Sequence, residues 1–329
     1  MYFCSVGKIV SVQKAVEILK NGGLVAIPTE TVYGLAANAL NEDAVQNIFK
    51  SKGRPSNNPL ILHFYQWEDA VSFVGKVPDD FYKLYAYFSP GPLTYLLPKS
   101  SLVSEKISAK NTTVAIRFPQ HPIAQELLKN IDFPLAAPSA NPSGYISPTQ
   151  SFHVIQQLGD KIDGVVEGGE CTKGIESTIV GWDEWGNVLV YRSGTITAKE
   201  ISEVLQKDVK VVTGEHKKIV APGMLSKHYS PKKPTYITAN VNQKIHHFSE
   251  KKIGIIWQIK PDVTMFYNCI NLSFSENGDL KTIAKNLYST MYQMDNLDVD
   301  IILIEKCLEG DLGLAIADRL SRAGINLDI

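Results

Sequence analysis

Cysteine is scarce. Cys4, Cys171, Cys269 and Cys307 are the four in 329 residues, and no two form a C-x-x-C pair. That pattern speaks against a disulfide framework and against a zinc ribbon. No run reaches the roughly 18–20 apolar residues that a membrane-spanning helix needs, so no membrane segment is expected. Lysine plus arginine number 33 against 34 acids, a formal charge of −1. No basic field therefore covers the whole surface to draw in nucleic acid. The N-terminal MYFCSVGKIVSV lacks a basic stretch leading into an apolar one, so no secretory leader is expected and a reduced, cytoplasmic setting is. The common nucleotide signatures are missing: there is no G-x-x-x-x-G-K-[ST], and no G-x-G-x-x-G after a strand. There is no G-x-S-x-G elbow. The seven histidines never reach metal-ligand spacing with cysteine or acid, and no Ser/His/Asp or Cys/His set stands out.

What is present has the bulk of a globular protein, 44% hydrophobic and 20% charged, in a chain long enough for two domains. Residues 11–22 carry helical apolar spacing and stop at Asn21-Gly22-Gly23. A short strand at 24–27 ends at Pro28. Asn41-Glu42-Asp43 offers a capping side chain and acids for a helix start. Ala44, Val45, Ile48 and Phe49 give that helix one apolar face, and Gly53 with Pro55 ends it. Further strands are predicted at 60–64, 94–97, 113–118, 135–137, 164–166, 177–182 and 188–191, with helices at 79–88, 122–130, 151–158 and 197–206. The irregular interleaving favours an open, mixed α/β sheet over 1–207. Residues 208–234 read as a proline- and lysine-rich linker, although Met224, Leu225, His228 and Tyr229 are unusual in a mere spacer. Beyond it, strands at 253–257, 269–272 and 301–304 and helices at 280–294 and 312–323 define a small α/β domain over 235–329.

Five stretches carry side chains suited to chemistry. In PTETVYGLAANA (28–39), Thr29, Thr31 and Tyr33 share one side if the segment is extended. It follows a buried strand, where open α/β sheets place ligands. Hydroxyls bonded to local backbone fit the same residues. In SKGRPSNNPLILH (51–63), Lys52 and Arg54 share a face on the same condition, a point charge beside a planar fork suited to phosphate. Ser56 and Asn58 could add neutral donors there, and a solvated loop is the plain alternative. In TVAIRF (113–118), Arg117 lies inside an apolar strand, so it must be paired or face a cleft. In APSANPSG (137–144), followed by Ser147, Ser139 and Asn141 stand two apart on a stiff loop that suits a nucleotide or is only a turn. In GGECTKGIESTIVGW (168–182), Gly168, Gly169 and Gly174 allow close backbone approach, and a glycine-rich hairpin fits equally well. Cations and neutral donors outnumber general bases. That profile fits binding and polarising phosphates or carboxylates.

These stretches, with PGPLTYLL, VAIRFPQHP (114–122), PLAAPSANPSG (134–144) and KGIESTIVGW (173–182), resemble the threonylcarbamoyl-AMP synthase family and its YrdC-like domain. APGMLSKHYSPKKP (221–234) and GLAIADRLSRA (313–323) resemble the linker and last helix of its long, two-domain form. The resemblance runs from about residue 8 to the end. It implies an open twisted mixed sheet followed by a small Rossmann-like domain. It implies condensation of L-threonine, bicarbonate and ATP into threonylcarbamoyl-adenylate with release of pyrophosphate, for modification of the tRNA adenosine next to the anticodon. A partner enzyme would make the transfer, and weak direct tRNA contact belongs to the same expectation. Thr31, His63, Arg117, Ala137 and Ser177 would line the threonine pocket. Lys52, Arg54, Asn58, Thr113, Ser139, Asn141, Ser147 and Arg192 would hold ATP, with Tyr229 of the linker closing over it. Lys52 and Arg54 would stabilise the reacting phosphates, and Mg²⁺ would ride on phosphate oxygens and water. Two other readings use the same motifs: an RNA-binding module with a basic concave face, and a relative that handles carbamoyl-adenylate.

Overall fold

The computed structural model describes residues 8–212, 221–222, 228–261, 269–306 and 310–328. Local signals set the first helices. Ser11 caps Val12–Lys20 by accepting from the Lys14 N–H. Asn41 caps Glu42–Lys52 by accepting from the N–H groups of Asp43 and Ala44, with Glu42 and Asp43 in the first turn. The second helix buries Ala44, Val45, Ile48 and Phe49, and closes at Gly53, whose φ of 60° is the left-handed stop that glycine adopts without strain.

Among the described residues, eleven strands form one sheet. The order is Ile9–Val10, Gly164–Val166, Val25–Ile27, Gly34–Asn38, Leu135–Ala136, Ile61–His63, Thr113–Arg117, Leu93–Pro98, Thr178–Trp182, Val188–Arg192, Val209–Val211. The sheet is mixed. Ile61–His63 runs parallel to Thr113–Arg117, and Leu93–Pro98 runs antiparallel to it. A large apolar cluster, including Leu35, Ile48, Leu62, Phe81, Tyr95 and Ile116, fills one face. A second sheet is wholly parallel, ordered Ile270–Ser275, Ile253–Ile259, Ile301–Glu305, Thr235–Thr238, Ile325–Asn326. The helices Leu280–Asp295 and Asp311–Ala323 pack on it through Ile283, Leu287, Met291, Ile316 and Leu320. The expected open mixed sheet followed by a small Rossmann-like unit is what the chain forms.

Three features differ from the sequence expectation. Gly34–Asn38, read as a strand exit, is itself a strand paired with Val25–Ile27 and Leu135–Ala136. Val209–Val211, inside the segment read as linker, is a strand paired with Val188–Arg192. The second sheet also gains Thr235–Thr238, immediately after the linker prolines. Of the linker, Ala221, Pro222 and His228–Pro234 are described, whereas Met224 and Leu225 lie outside the described residues.

The units meet closely at Gly174. Its φ is 75°, and a methyl group there would collide with the backbone of Ala284 and Lys285 on the second unit's long helix. Only glycine permits that approach.

Candidate active site

Strand register builds the site. His63 pairs with Arg117, and Arg117 pairs with Thr94 on its other side. Gly34 bridges Ser139. Since Ile61–His63 and Thr113–Arg117 are parallel, His63 and Arg117 both stand at carboxyl ends, where open α/β sheets gather ligands. A partly enclosed cavity opens there. Thr31, Arg54, His63, Arg117, Ala137, Ser139, Arg192 and Tyr229, all expected site residues, line it. Glu176, Pro222 and His228 complete the wall and roof.

The cations are buried and held rigidly. Arg117 Nη2 donates to Glu30 Oε1 at 2.7 Å, and Glu30 Oε2 accepts from the Gln120 N–H at 3.0 Å. Arg54 Nη2 donates to Asn58 Oδ1 at 2.7 Å and to the Pro59 carbonyl at 2.8 Å. Lys52 Nζ donates to the carbonyls of Ser139 and Asn141. Arg192 donates from Nε to the Ser177 carbonyl at 3.0 Å, from Nη2 to Ser177 Oγ at 3.1 Å, and from Nη1 to the Pro222 carbonyl at 3.2 Å. Ser177 Oγ also lies 2.7 Å from Thr94 Oγ1.

Three cations are therefore satisfied largely by backbone carbonyls, which carry only partial charge. Burial pushes the Lys52 ammonium well below its ordinary pKa, and Arg54 adds to the fall. Burial lowers Arg54 to about 9, against a pull from Tyr229 and with help from Arg192. Such groups gain when an anion arrives, because an opposite charge favours the ionised form. The neighbouring histidines stay neutral. Burial takes His63 to about 3, with Arg117 contributing, and burial takes His228 to about 3. The two imidazoles thus add neither positive charge nor a base poised near neutrality.

Several buried polar atoms on this wall or directly behind it have no hydrogen-bond partner among the described residues: Asn58 Nδ2, Arg117 Nε, Asn141 Oδ1 and His228 Nδ1. Proteins leave few such groups, each costing about 1–3 kcal/mol, so their gathering around one cavity marks a place built for a polar ligand. Among the described residues, no group of three or more His, Cys, Asp or Glu could hold a metal.

The structure distributes the remaining expected residues. Lys52, Asn58, Ser147 and Ser177 stand one contact behind the wall, bonded to its members, and Asn141 stands one further back, bonded to Lys52. Thr113 lies apart. It opens the strand whose last residue is Arg117, opposite Pro98, about 13 Å of strand away. The condition of extended backbone also fails. Lys52 is the last residue of a helix and Arg54 follows its left-handed stop, so the helix end, not strand alternation, brings them together. Thr29 and Thr31 bond each other at 2.8 Å, whereas the Tyr33 hydroxyl goes elsewhere, to the Gly169 carbonyl. Sequence reasoning missed Glu30 and Glu176. Each is an acid inside a buried stretch, and the argument that demanded a partner for Arg117 would have flagged both.

Comparison with known proteins identifies the family. The Sua5/YciO/YrdC family model, described as telomere recombination, matches residues 17–194, and the model for the threonylcarbamoyl-AMP synthase C-terminal domain matches residues 196–324. The fold is that of this class, with two family models matched in succession along the chain. A threonylcarbamoyl-AMP synthase of Pyrococcus abyssi is 39% identical over 94% of this chain and 92% of its own length. One from Bacillus subtilis is 36% identical over 95% and 92%. A crystal structure of Pyrococcus abyssi Sua5 complexed with L-threonine superposes with a TM-score of 0.87 at 36% identity, covering 96% of each chain. The chain belongs to the threonylcarbamoyl-AMP synthase family. No helix among its described residues is long and apolar enough to cross a membrane.

Proposed function

We propose that this chain joins L-threonine, bicarbonate and ATP into threonylcarbamoyl-adenylate, and that the cavity holding Arg54, Arg117 and Arg192 is where it does so. One observation supports the placement: buried cations and unpartnered polar atoms gather around one cavity, in a chain that synthases match over 94–95% of its length. The threonine end is assigned to Thr31, His63, Arg117, Ala137 and Ser177. Arg117, steadied by Glu30, presents its free Nε to the substrate carboxylate. A neutral His63 beside it adds no competing charge.

The nucleotide end is assigned to Lys52, Arg54, Asn58, Ser139, Asn141, Ser147, Arg192 and Tyr229, with Thr113 as an outlying contact. The threonine amine adds to bicarbonate with loss of water, giving a carbamate. A carbamate oxygen then attacks the α-phosphorus and pyrophosphate leaves. Negative charge grows on the phosphate oxygens, where Arg54, on the wall and already oriented by Asn58 and Pro59, stabilises it directly, and Lys52, one contact behind, adds its positive field. Glu176 on the cavity wall and Glu30 behind Arg117 are both ion-paired with arginines. Mg²⁺ is therefore proposed to sit on phosphate oxygens and water, neutralising their charge, with no side-chain ligand assigned. Pro222, His228 and Tyr229 roof the cavity and shield a carbamate from water. The product is handed to a transferase acting on tRNA, and weak tRNA contact of this chain belongs to the same reading.

The test is pyrophosphate release with threonine, with serine and with no amino acid, each with and without bicarbonate. Release that requires threonine and bicarbonate supports the reading. Release indifferent to either overturns it.

A further inference from the structure

Among its described residues, the second unit buries two charged side chains, Asp295 and Arg319. Both are engaged across the boundary. Asp295 Oδ2 accepts from the Tyr145 hydroxyl at 2.7 Å and from the linker N–H of Lys232 at 3.2 Å. Arg319 Nε donates to Glu176 Oε2 at 3.2 Å, with only 1% of the arginine side chain exposed.

Glu176 is the meeting point. It lines the cavity immediately before Ser177. Its Oε1 accepts from the Ser147 hydroxyl at 2.7 Å, within the first unit. Its Oε2 accepts from the Tyr288 hydroxyl at 2.8 Å, in the second. Burial opposes its charge, but Arg319, Arg192 and Ser147 hold its pKa below the ordinary value. Tyr288 and Arg319 also hold the roof. The Tyr288 ring lies 5.4 Å from that of Tyr229, and the Arg319 guanidinium stands 5.7 Å from the same ring. Tyr229 needs holding, because its φ of 63° is costly for an aromatic residue. Its neighbours are fastened on both sides: the His228 N–H to the Arg322 carbonyl at 3.2 Å, and the Ser230 N–H to the Gly144 carbonyl at 2.8 Å.

A contact serving only to dock two units does not require this chemistry. Burying an arginine and a glutamate costs several kcal/mol per ion, and apolar side chains of the same volume often dock as well or better. What the ionic arrangement adds is a fixed position for Glu176 and, through it, for Ser147, while the same two side chains set the Tyr229 ring. We propose that Arg319 and Tyr288 are positioning residues for the nucleotide end of the site, acting through Glu176 and Tyr229. The second unit thereby takes part in ATP recognition without lining the cavity. This rests on the synthase reading.

The test pairs calorimetric titration of a non-hydrolysable ATP analogue with pyrophosphate-release kinetics, on full-length protein. Arg319→Met is expected to weaken analogue binding at least 10-fold and raise KM for ATP to match, with kcat within 3-fold and KM for threonine within 2-fold. Arg319→Lys, which keeps the charge, should recover most of the loss. Tyr288→Phe keeps the ring and removes one hydrogen bond, so it serves even if Arg319→Met does not fold; about a 3-fold weakening is expected. Wild-type analogue affinity in Tyr288→Phe, or in folded Arg319→Met, overturns the proposal. So does a fall in kcat that follows the folded fraction with KM for ATP unchanged. If the wild-type protein binds the analogue yet releases no pyrophosphate with threonine and bicarbonate, the synthase reading fails, while the titrations still decide whether the two units are coupled.

Discussion

The two units bury charge in opposite ways. The first places Lys52, Arg54, Arg117 and Arg192 below 10% exposure at strand ends and a helix end, all around one cavity. The second is a parallel sheet with an apolar core, and its buried Asp295 and Arg319 point their interactions at the first unit or the linker. Buried charge is expensive, so where a chain keeps it locates what the chain does. The first unit gathers its buried cations around a cavity; the second directs its buried charge at the first unit and the linker.

Substitutions can break or sharpen that contrast. The largest expected effect is in the first unit. Lys52→Ala with Arg54→Ala should cut pyrophosphate release by roughly 100-fold to 1,000-fold or more, the scale for removing preorganised charge stabilisation. Turnover within a few-fold of wild type would remove both residues from their assigned role. Next, Arg117→Lys should raise KM for threonine by roughly 30-fold or more, because a point charge cannot replace a fork. Glu30→Gln should follow in the same direction and less steeply, through a poorly held Arg117. An unchanged KM in both would place the carboxylate elsewhere.

In the second unit, Ile302→Ala opens a cavity in the central packing and should cost about 2–5 kcal/mol of stability, read by denaturant unfolding. KM for threonine and for ATP in the folded protein should not move. A shift in KM would show that the second core, and not only its boundary residues, is tuned to the site.

Acid provides a smaller, graded effect. His63 and His228 protonate near 6.5 in the unfolded chain but only near 3 in the fold. Between these values the unfolded state binds more protons, so stability falls as pH falls through the window, approaching 1.4 kcal/mol per histidine per pH unit. Replacing both with asparagine should flatten the acid limb of the melting curve. An equally steep limb would assign it to carboxylates instead. The smallest effect concerns Lys52. Its depressed pKa should rise when phosphates bind, so ATP binding should take up protons and weaken as pH climbs through that range. Calorimetry in buffers of different ionisation enthalpy measures the uptake.

Much of this was legible because it is written locally. Asn41, the acids at 42–43 and Gly53 mark their helix in the sequence, and the helix 280–295 buries the expected Ile283, Ala284, Leu287, Tyr288, Met291 and Met294, with Leu280 at its start only partly covered. Arg117 announced itself as an arginine among apolar neighbours. It proved to be both paired, with Glu30, and on the cavity wall. The joint placement of Lys52 and Arg54 was legible too, but for the wrong reason: alternation was invoked where a helix stop does the work. Illegible were the contacts made only by tertiary docking. Nothing adjacent to Arg319 or Tyr288 in sequence points to Glu176, more than 100 residues away. The strand Val209–Val211 hid in a lysine-rich segment because an edge strand has only one neighbour to match.

Gly174 gives the coupling a second reading. A single hydrogen atom there sets how near the long helix 280–295 can approach, so the first unit carries, in its own sequence, an imprint of the second. An alanine at 174 would act as a wedge, prising the two sheets apart without touching either core. A homologue that works without a second unit has no steric reason to keep that glycine, although the turn conformation would still favour it. Glycine at 174 thus answers two demands at once, the left-handed turn of its own loop and the close seat of the long helix against it.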